Sequence, residues 1–356
     1  MGVMGKCCLW VVLAVAVVFG AMYLGNKYSQ ELLVQCDEGN YDEALALLKY
    51  GAFTFGISDD GFTSLILCSG SSEVAFRILD KNPRLSSGEP SPLINFKHKD
   101  TGITALHMAA FRGNKPLVKR LLAEGAYEQR YGTTISNKNA ITYAAERGHT
   151  DIIDAFFNYE IEVDGPRDEL DLDGRAGREL IEALIGEHEE TALRLIELGS
   201  LPFYEGPERR EEVMAHGSAL HVACGLGLPR AAIKLIEIGC DVNALHKGSA
   251  TPLSILTAAN SGDSEDMAKV VQALIDKGAD IEHADDSEGG RTPLLLAIGS
   301  GFTKAVDLLL RAGANKEAKD RDGVNALAAC DPSNKPDEIA SFQPDEESCK
   351  VLLAHS

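Results

Sequence analysis

Thr104-Ala-Leu-His-Met-Ala-Ala110 is followed by Gly113, by the apolar pair Leu121-Leu122 and by a second glycine, Gly125. The phrase returns as Ser218-Ala-Leu-His-Val-Ala-Cys224 with Gly227, Leu235-Ile236 and Gly239. It returns again as Thr292-Pro-Leu-Leu-Leu-Ala-Ile298 with Gly301, Leu309-Leu310 and Gly313. In each copy the apolar pair begins 17 residues after the leading Thr or Ser, and the second glycine falls at 21. A long fixed repeat is the mark of a solenoid, whose units bury their apolar faces only against neighbouring units. Leu106, Ala109 and Ala110, then Val118, Leu121 and Leu122, stand at helical spacing, which predicts two helices per copy. The leading hydroxyl caps the first helix, and glycine accommodates the left-handed residue that closes a helix. Asp100-Thr-Gly-Ile-Thr104 and Asp322-Gly-Val-Asn325 read as turns between copies.

This phrase resembles the ankyrin repeat, whose consensus includes T-P-L-H-x-A. The resemblance implies an all-α solenoid of helix-turn-helix repeats joined by short hairpin loops. In the same register Gln30 leads to Leu47-Leu48 and Gly51, and Arg178 to Leu195-Ile196 and Gly199. Asn139 leads to Phe156-Phe157, with Glu160 where the glycine belongs. Segments from Thr63, Thr251 and Asn325 fit with changes of length, so seven to nine repeats are expected. The array is expected to fill 27–356, with insertions near 84–99, 162–176, 201–215, 282–290 and 331–344. Insertions in repeat arrays often map to a binding face. Surface loops also tolerate added length at little cost, so both readings of the insertions stand.

Residues 1–26 form a separate segment. From Cys7 to Gly25 there are 19 residues with no charge and no proline. At a rise of about 1.5 Å per residue, such a run comes close to the ~30 Å hydrocarbon core of a bilayer. The expectation is one N-terminal transmembrane helix, a single-pass membrane anchor. A signal peptide, cleaved to leave a secreted or periplasmic array, is the alternative, though its apolar stretch is usually shorter. A buried helix is a third reading. Lys6 and Lys27 flank the run on opposite sides, so the positive-inside rule does not orient it.

The formal net charge of −20 argues against nucleic acid and against docking the repeats on anionic lipid. No C-x-x-C occurs among the eight cysteines. Cys36, Cys68, Cys224 and Cys330 stand at or beside the small-residue position of a first helix, as compact hydrophobes. No metal or disulfide framework is expected, and free thiols lean towards a cytosolic array. No cofactor and no catalytic residue is expected either, for there is no nucleophile elbow, phosphate-binding loop or H-E-x-x-H. His107 and His221 stand at the motif histidine, which the resemblance makes structural. The acidic stretch Glu169-Leu-Asp-Leu-Asp173 imitates a calcium loop but has Leu180 where the twelfth-position Glu belongs.

What remains is a protein partner. Ankyrin-type proteins commonly bind along a concave face of hairpin tips and first-helix residues. Matched to that pattern, Phe111, Arg112, Glu146 and Arg147, with Tyr127, Arg130 and Tyr131 of the intervening hairpin, are the partner-binding candidates. Aromatic and arginine side chains are enriched at binding hot spots. Phe111 has a second reading, as cover for a neighbouring repeat. The chain is thus expected to be a monomeric, membrane-tethered scaffold that binds and localises another protein. The alternative is an accessory or regulatory subunit of a membrane or exported enzyme or transporter.

Overall fold

The computed structural model describes residues 27–82, 89–126, 134, 138–164, 177–199, 218–246, 249–259, 264–331 and 344–355. The chain divides into two compact units, Met1–Arg167 and Asp168–Ser356. In the first, a helix over 27–38 (α1) pairs with α2 (Tyr41–Lys49), α3 (Ser64–Leu67) with α4 (Ser72–Lys81), α5 (Ala105–Phe111) with α6 (Lys115–Leu121), and α7 (Ala140–Glu146) with α8 (Thr150–Asp164). In the second, α9 (Arg178–Ile185) pairs with α10 (Glu189–Glu197), and α11 (Ala219–Gly225) with α12 (Pro229–Glu237). The remaining pairs are α13 (Pro252–Ala259) with α14 (Glu265–Asp276), α15 (Pro293–Ser300) with α16 (Thr303–Arg311), and α17 (Ala326–Ala329) with α18 (Glu346–Ala354). Among the described residues the fold is the expected all-α array of helix pairs.

First helices stack on first helices, as α5 on α7 and α11 on α13, and second helices do the same, as α6 on α8 and α12 on α14. The stacking follows from the small residues: Ala109, Ala110, Ala144, Ala145 and Ala223 are fully buried and allow backbones to approach. Leu106, Val118, Leu121 and Leu122 fill the space between the two layers. Burying each such side chain is worth roughly 1.5–3 kcal/mol, and no single pair has another surface against which to bury them.

Between pairs the chain makes a hairpin closed by a backbone hydrogen bond. The N–H of Ser58 donates to Phe62 O at 2.8 Å, that of His98 to Ile103 O at 2.8 Å, and that of Thr134 to Lys138 O at 3.1 Å. In the second unit, His246 donates to Ala250 O, Asp285 to Arg291 O and Asp320 to Val324 O, at 2.7–2.9 Å. The residue after each acceptor is the cap of the next first helix: Thr63, Thr104, Asn139, Thr251, Thr292 or Asn325. Asn139 Oδ1 accepts the N–H of Thr142 at 2.7 Å and Thr251 Oγ1 that of Ser254 at 3.1 Å. The fifth pair departs from the rule, with Gly177 at the cap and no side chain closing it.

The helix-closing glycines are left-handed, as in Gly125 (φ 101°) and Gly239 (φ 91°). Where Glu160 replaces that glycine nothing stops the helix, and α8 runs for 15 residues where α10 and α12 each have 9. A second glycine position, occupied by Gly113 and Gly227, carries Glu187 in the fifth pair, and Glu187 is held at φ 58°.

The motif histidine connects one repeat to the next. His221 Nδ1 accepts the N–H of Ser218 at 3.1 Å, so Nε2 carries the proton and donates to Ala244 O at 2.9 Å and Ala250 O at 3.2 Å. Both carbonyls belong to the following hairpin. Neutral imidazole satisfies the whole arrangement, whereas a second proton on Nδ1 would displace the Ser218 amide.

Several expectations change against the structure. Cys36 of α1 and Cys68, the residue that follows α3, form a disulfide, and Cys330 and Cys349 form another across the last described helix pair. Their Cα atoms lie 4.8 and 5.3 Å apart, within disulfide reach. The expectation of no disulfide framework is therefore corrected: stacking brings together positions that sequence spacing keeps 32 and 19 residues apart. The insertion near 84–99 is more than tolerated loop where it is described, because Leu93 and Ile94 are buried and Pro90 lies against Gly125. The insertion at 282–290 is a hairpin tip held by Asp285, whose carboxylate accepts the N–H and hydroxyl of Ser287. The insertions at 162–176, 201–215 and 331–344 lie mainly outside the described residues, as does the whole expected anchor at 7–25. Among the described residues no helix is long and apolar enough to cross a membrane.

Two outcomes follow from these contacts. Glu187→Gly removes a left-handed non-glycine residue and is expected to stabilise the second unit by about 0.5–1 kcal/mol net of unfolded-chain entropy; a denaturation midpoint that stays put or falls would contradict the strain. Burial lowers the pKa of His221, outweighing its two carbonyl partners. With the folded value below the ordinary ~6.5, the stability His221 contributes is complete above that pH and lost as pH falls through the folded value. Melting temperature should fall on acidification, and His221→Gln, which keeps a donor but does not titrate, should flatten the decline.

Candidate partner-binding surface

Four of the seven candidates follow the paired small residues of first helices, Arg147 exposed and Phe111, Arg112 and Glu146 half-buried. The Arg147 guanidinium lies 4.6 Å from the centroid of the Phe111 ring, a cation–π contact across adjacent repeats. Tyr143 meets the same ring edge-on at 6.0 Å. His149 Nε2 lies 3.1 Å from Phe111 O, which fixes the backbone beneath the ring. Glu146 pairs with Lys138 at 2.8 Å. Phe111, Arg147 and Glu146 therefore share one patch over α5 and α7. Arg112 points elsewhere: its guanidinium donates to Leu67 O, and to Ser69 Oγ at 3.3 Å, tying its repeat to the preceding one. Tyr127, Arg130 and Tyr131 lie outside the described residues, as does the acidic stretch 169–173.

A second feature escaped the sequence. Between α1, the hairpin at 58–62 and α5 lies a groove of about 500 Å³. Leu33, Ile66 and Leu67 form its buried floor, with Val34, Phe62, Ile103 and Met108 as walls. Asp37, Asp59 and Asp60 stand exposed on its rim. The hairpin holds its shape through His98, whose ring stacks on Phe62 with centroids 4.1 Å apart. The Thr101 N–H donates to His98 Nδ1 at 3.2 Å, so the Nε2–H donates to Asp60 O at 2.6 Å. The groove is assembled from three repeats and has no contiguous signature.

Chemically this is an apolar trough with a carboxylate rim, and the candidate Arg112 adds one guanidinium to its lining. It suits an apolar side chain flanked by Lys or Arg, and it brings together no nucleophile and base. Among the described residues no group of three or more His, Cys, Asp or Glu is placed to hold a metal ion. Cys224 and Cys240 are buried thiols; burial pushes both upwards, Cys240 to about 11, which makes them poor nucleophiles.

Comparison with known proteins agrees with this geometry. The family model for Ankyrin repeats (3 copies) matches residues 89–167, 106–205 and 220–320, together more than half of the chain. The chain is 27% identical over 232 residues to the Ankyrin repeat and KH domain-containing protein mask-1 of Caenorhabditis elegans, covering 64% of this chain and 8% of that protein. It is 31% identical over 122 residues to the human Ankyrin repeat and SOCS box protein 6, covering 32% of this chain and 27% of that one. Both alignments thus span less than a third of the relative's length. Among solved structures, the human ASB11 ankyrin repeat domain superposes with a TM-score of 0.52 at 20% identity, over 71% of this chain and 99% of that one, a likeness of fold. With the period, the capped hairpins and the stacked helix pairs already in place, the family match completes the assignment: this chain belongs to the ankyrin-repeat family.

Proposed function

We propose that this protein is a membrane-tethered interaction scaffold, anchored through residues 7–25, whose array over 27–356 captures and localises a protein partner. Ankyrin repeats indicate protein partners in general. The tether is supported by the uncharged 19-residue run in the sequence. The observation that carries the binding mode is the open groove between α1 and α5, with its apolar floor and acidic rim. It fits a partner segment in which an apolar anchor sits beside basic residues, and the Phe111–Arg147 patch over α5 and α7 extends the contact surface.

The two disulfides add a compartment to this reading. Disulfides persist where the environment is oxidising and are rare where thiol reductants dominate. The disulfides support a signal-anchor orientation, with the array on the lumenal, periplasmic or outer side. It runs against the lean towards the cytosol drawn from unpaired cysteines.

Two experiments test these statements. Crosslinked affinity capture from native membranes with the wild-type chain should enrich one partner. Reversing the rim with Asp37→Lys, Asp59→Lys and Asp60→Lys should reduce that capture at least tenfold, about 1.4 kcal/mol; equal capture by a folded triple variant would remove the groove from the reading. If the partner is an enzyme or transporter recovered stoichiometrically, the chain is an accessory subunit. Alkylation of the intact protein from its own membranes, followed by non-reducing peptide mapping, should recover Cys36–Cys68 and Cys330–Cys349 as linked pairs. Four alkylated thiols at those positions would place the array on the reducing side.

A further inference from the structure

The loop leaving α2 breaks the pattern of its counterparts. Aligned on the helix-closing glycine, Gly51-Ala-Phe-Thr-Phe55 corresponds to Gly239-Cys-Asp-Val-Asn243, Gly278-Ala-Asp-Ile-Glu282 and Gly313-Ala-Asn-Lys-Glu317. The second and fourth residues after glycine are polar in those three hairpins and do structural work there. Asn243 Oδ1 accepts the N–H of Asp280 at 2.7 Å, and Glu282 Oε1 accepts that of Asn315 at 2.7 Å. In the first hairpin both positions are phenylalanine. Ala52 and Thr54 turn inward and are buried, while Phe53 and Phe55 turn outward and remain 50% and 57% exposed. Tyr50, 73% exposed, extends the same apolar surface. Two neighbouring exposed phenylalanines replacing polar residues need an occupant.

Their position identifies one. The Phe53 N–H donates to Ser29 Oγ at 2.7 Å, and Gly56 lies so close to α1 that a Cβ there would be 3.1 Å from Leu33 Cδ1. The aromatic segment therefore runs along the first turns of α1. Ser29 is four residues beyond Gly25, where the apolar run ends. Even fully extended, that connection spans no more than about 14 Å. The headgroup layer of a bilayer is itself several ångströms deep on each side, and aromatic rings partition into it. Exposed Lys49 precedes Tyr50 in the chain and exposed Lys27 stands two residues before Ser29, and lysine stems favour the same layer.

We propose that Tyr50, Phe53 and Phe55 insert into the headgroup region of the bilayer that holds residues 7–25, seating the first repeat on the membrane surface. The contact rests on the anchor proposed above. It is apolar and interfacial, so it requires no anionic lipid and is compatible with the net charge of −20.

The test uses the full chain in zwitterionic phosphatidylcholine nanodiscs, with lipids brominated either near the headgroup or deep in the acyl chain. The only tryptophan is Trp10, inside the apolar run, and it reports on the anchor. A Trp10→Phe, Phe55→Trp chain reports on the patch, and Trp10→Phe, Phe53→Trp repeats the measurement should the first variant misfold. Loss of the F55W or F53W emission to shallow bromines, with little loss to deep ones and no change in high salt, is the expected result. Unquenched F55W and F53W emission beside a quenched Trp10 would overturn the seat and leave the patch to a protein partner. An unquenched Trp10 would overturn the anchor and the seat with it.

Discussion

One residue in each of six repeats fixes two things together. Thr63, Thr104, Asn139, Thr251, Thr292 and Asn325 each follow the residue that closes a hairpin, and each begins a first helix. Because the hairpin bond and the helix cap are adjacent in the chain, the direction of the loop sets the direction of the helix. Small buried residues then let successive first helices stack in register. Where the motif histidine is present, as at His221, the next hairpin is tied to the same point by hydrogen bonds to its carbonyls. Loss of a good cap typically costs about 1 kcal/mol, but here the cap also positions its neighbours, and stability in such arrays is shared between adjoining units.

This coupling explains why the fold was so legible. Leu106, Ala109, Ala110, Leu121 and Leu122 could be assigned to the core by periodicity because the solenoid uses only local and nearest-neighbour contacts. Departures were legible for the same reason: Glu160, written where glycine belongs, became the overrun of α8. The disulfides were not, because whether Cys36 faces Cys68 depends on how closely α1 and α3 approach. His98 was passed over as well. It stands outside the repeated phrase, yet it fixes the hairpin that carries Asp60.

The binding surface was less legible than the scaffold. Motif matching placed Phe111, Arg112, Glu146 and Arg147 together because they occupy equivalent positions after the small pair. The structure separates them by direction: Arg147 covers the Phe111 ring, while Arg112 reaches back to Leu67 and Ser69. A sequence position gives the face of a helix but not the partner a long flexible side chain selects. The groove beside α1 depends on residues as far apart as Val34 and Met108, which no local pattern links.

The placement of the two disulfides bears on how the array comes apart. In a linear repeat protein stability is shared between each unit and its neighbours, so the array opens first where those contacts are weakest. Cys36–Cys68 joins the first described helix pair to the second, and Cys330–Cys349 clasps the two halves of the last. Each link holds its helices together when the contacts around them open. A chain pulled or heated in an oxidising environment would then open first at a junction that carries no covalent link, with the bridged helices still held together.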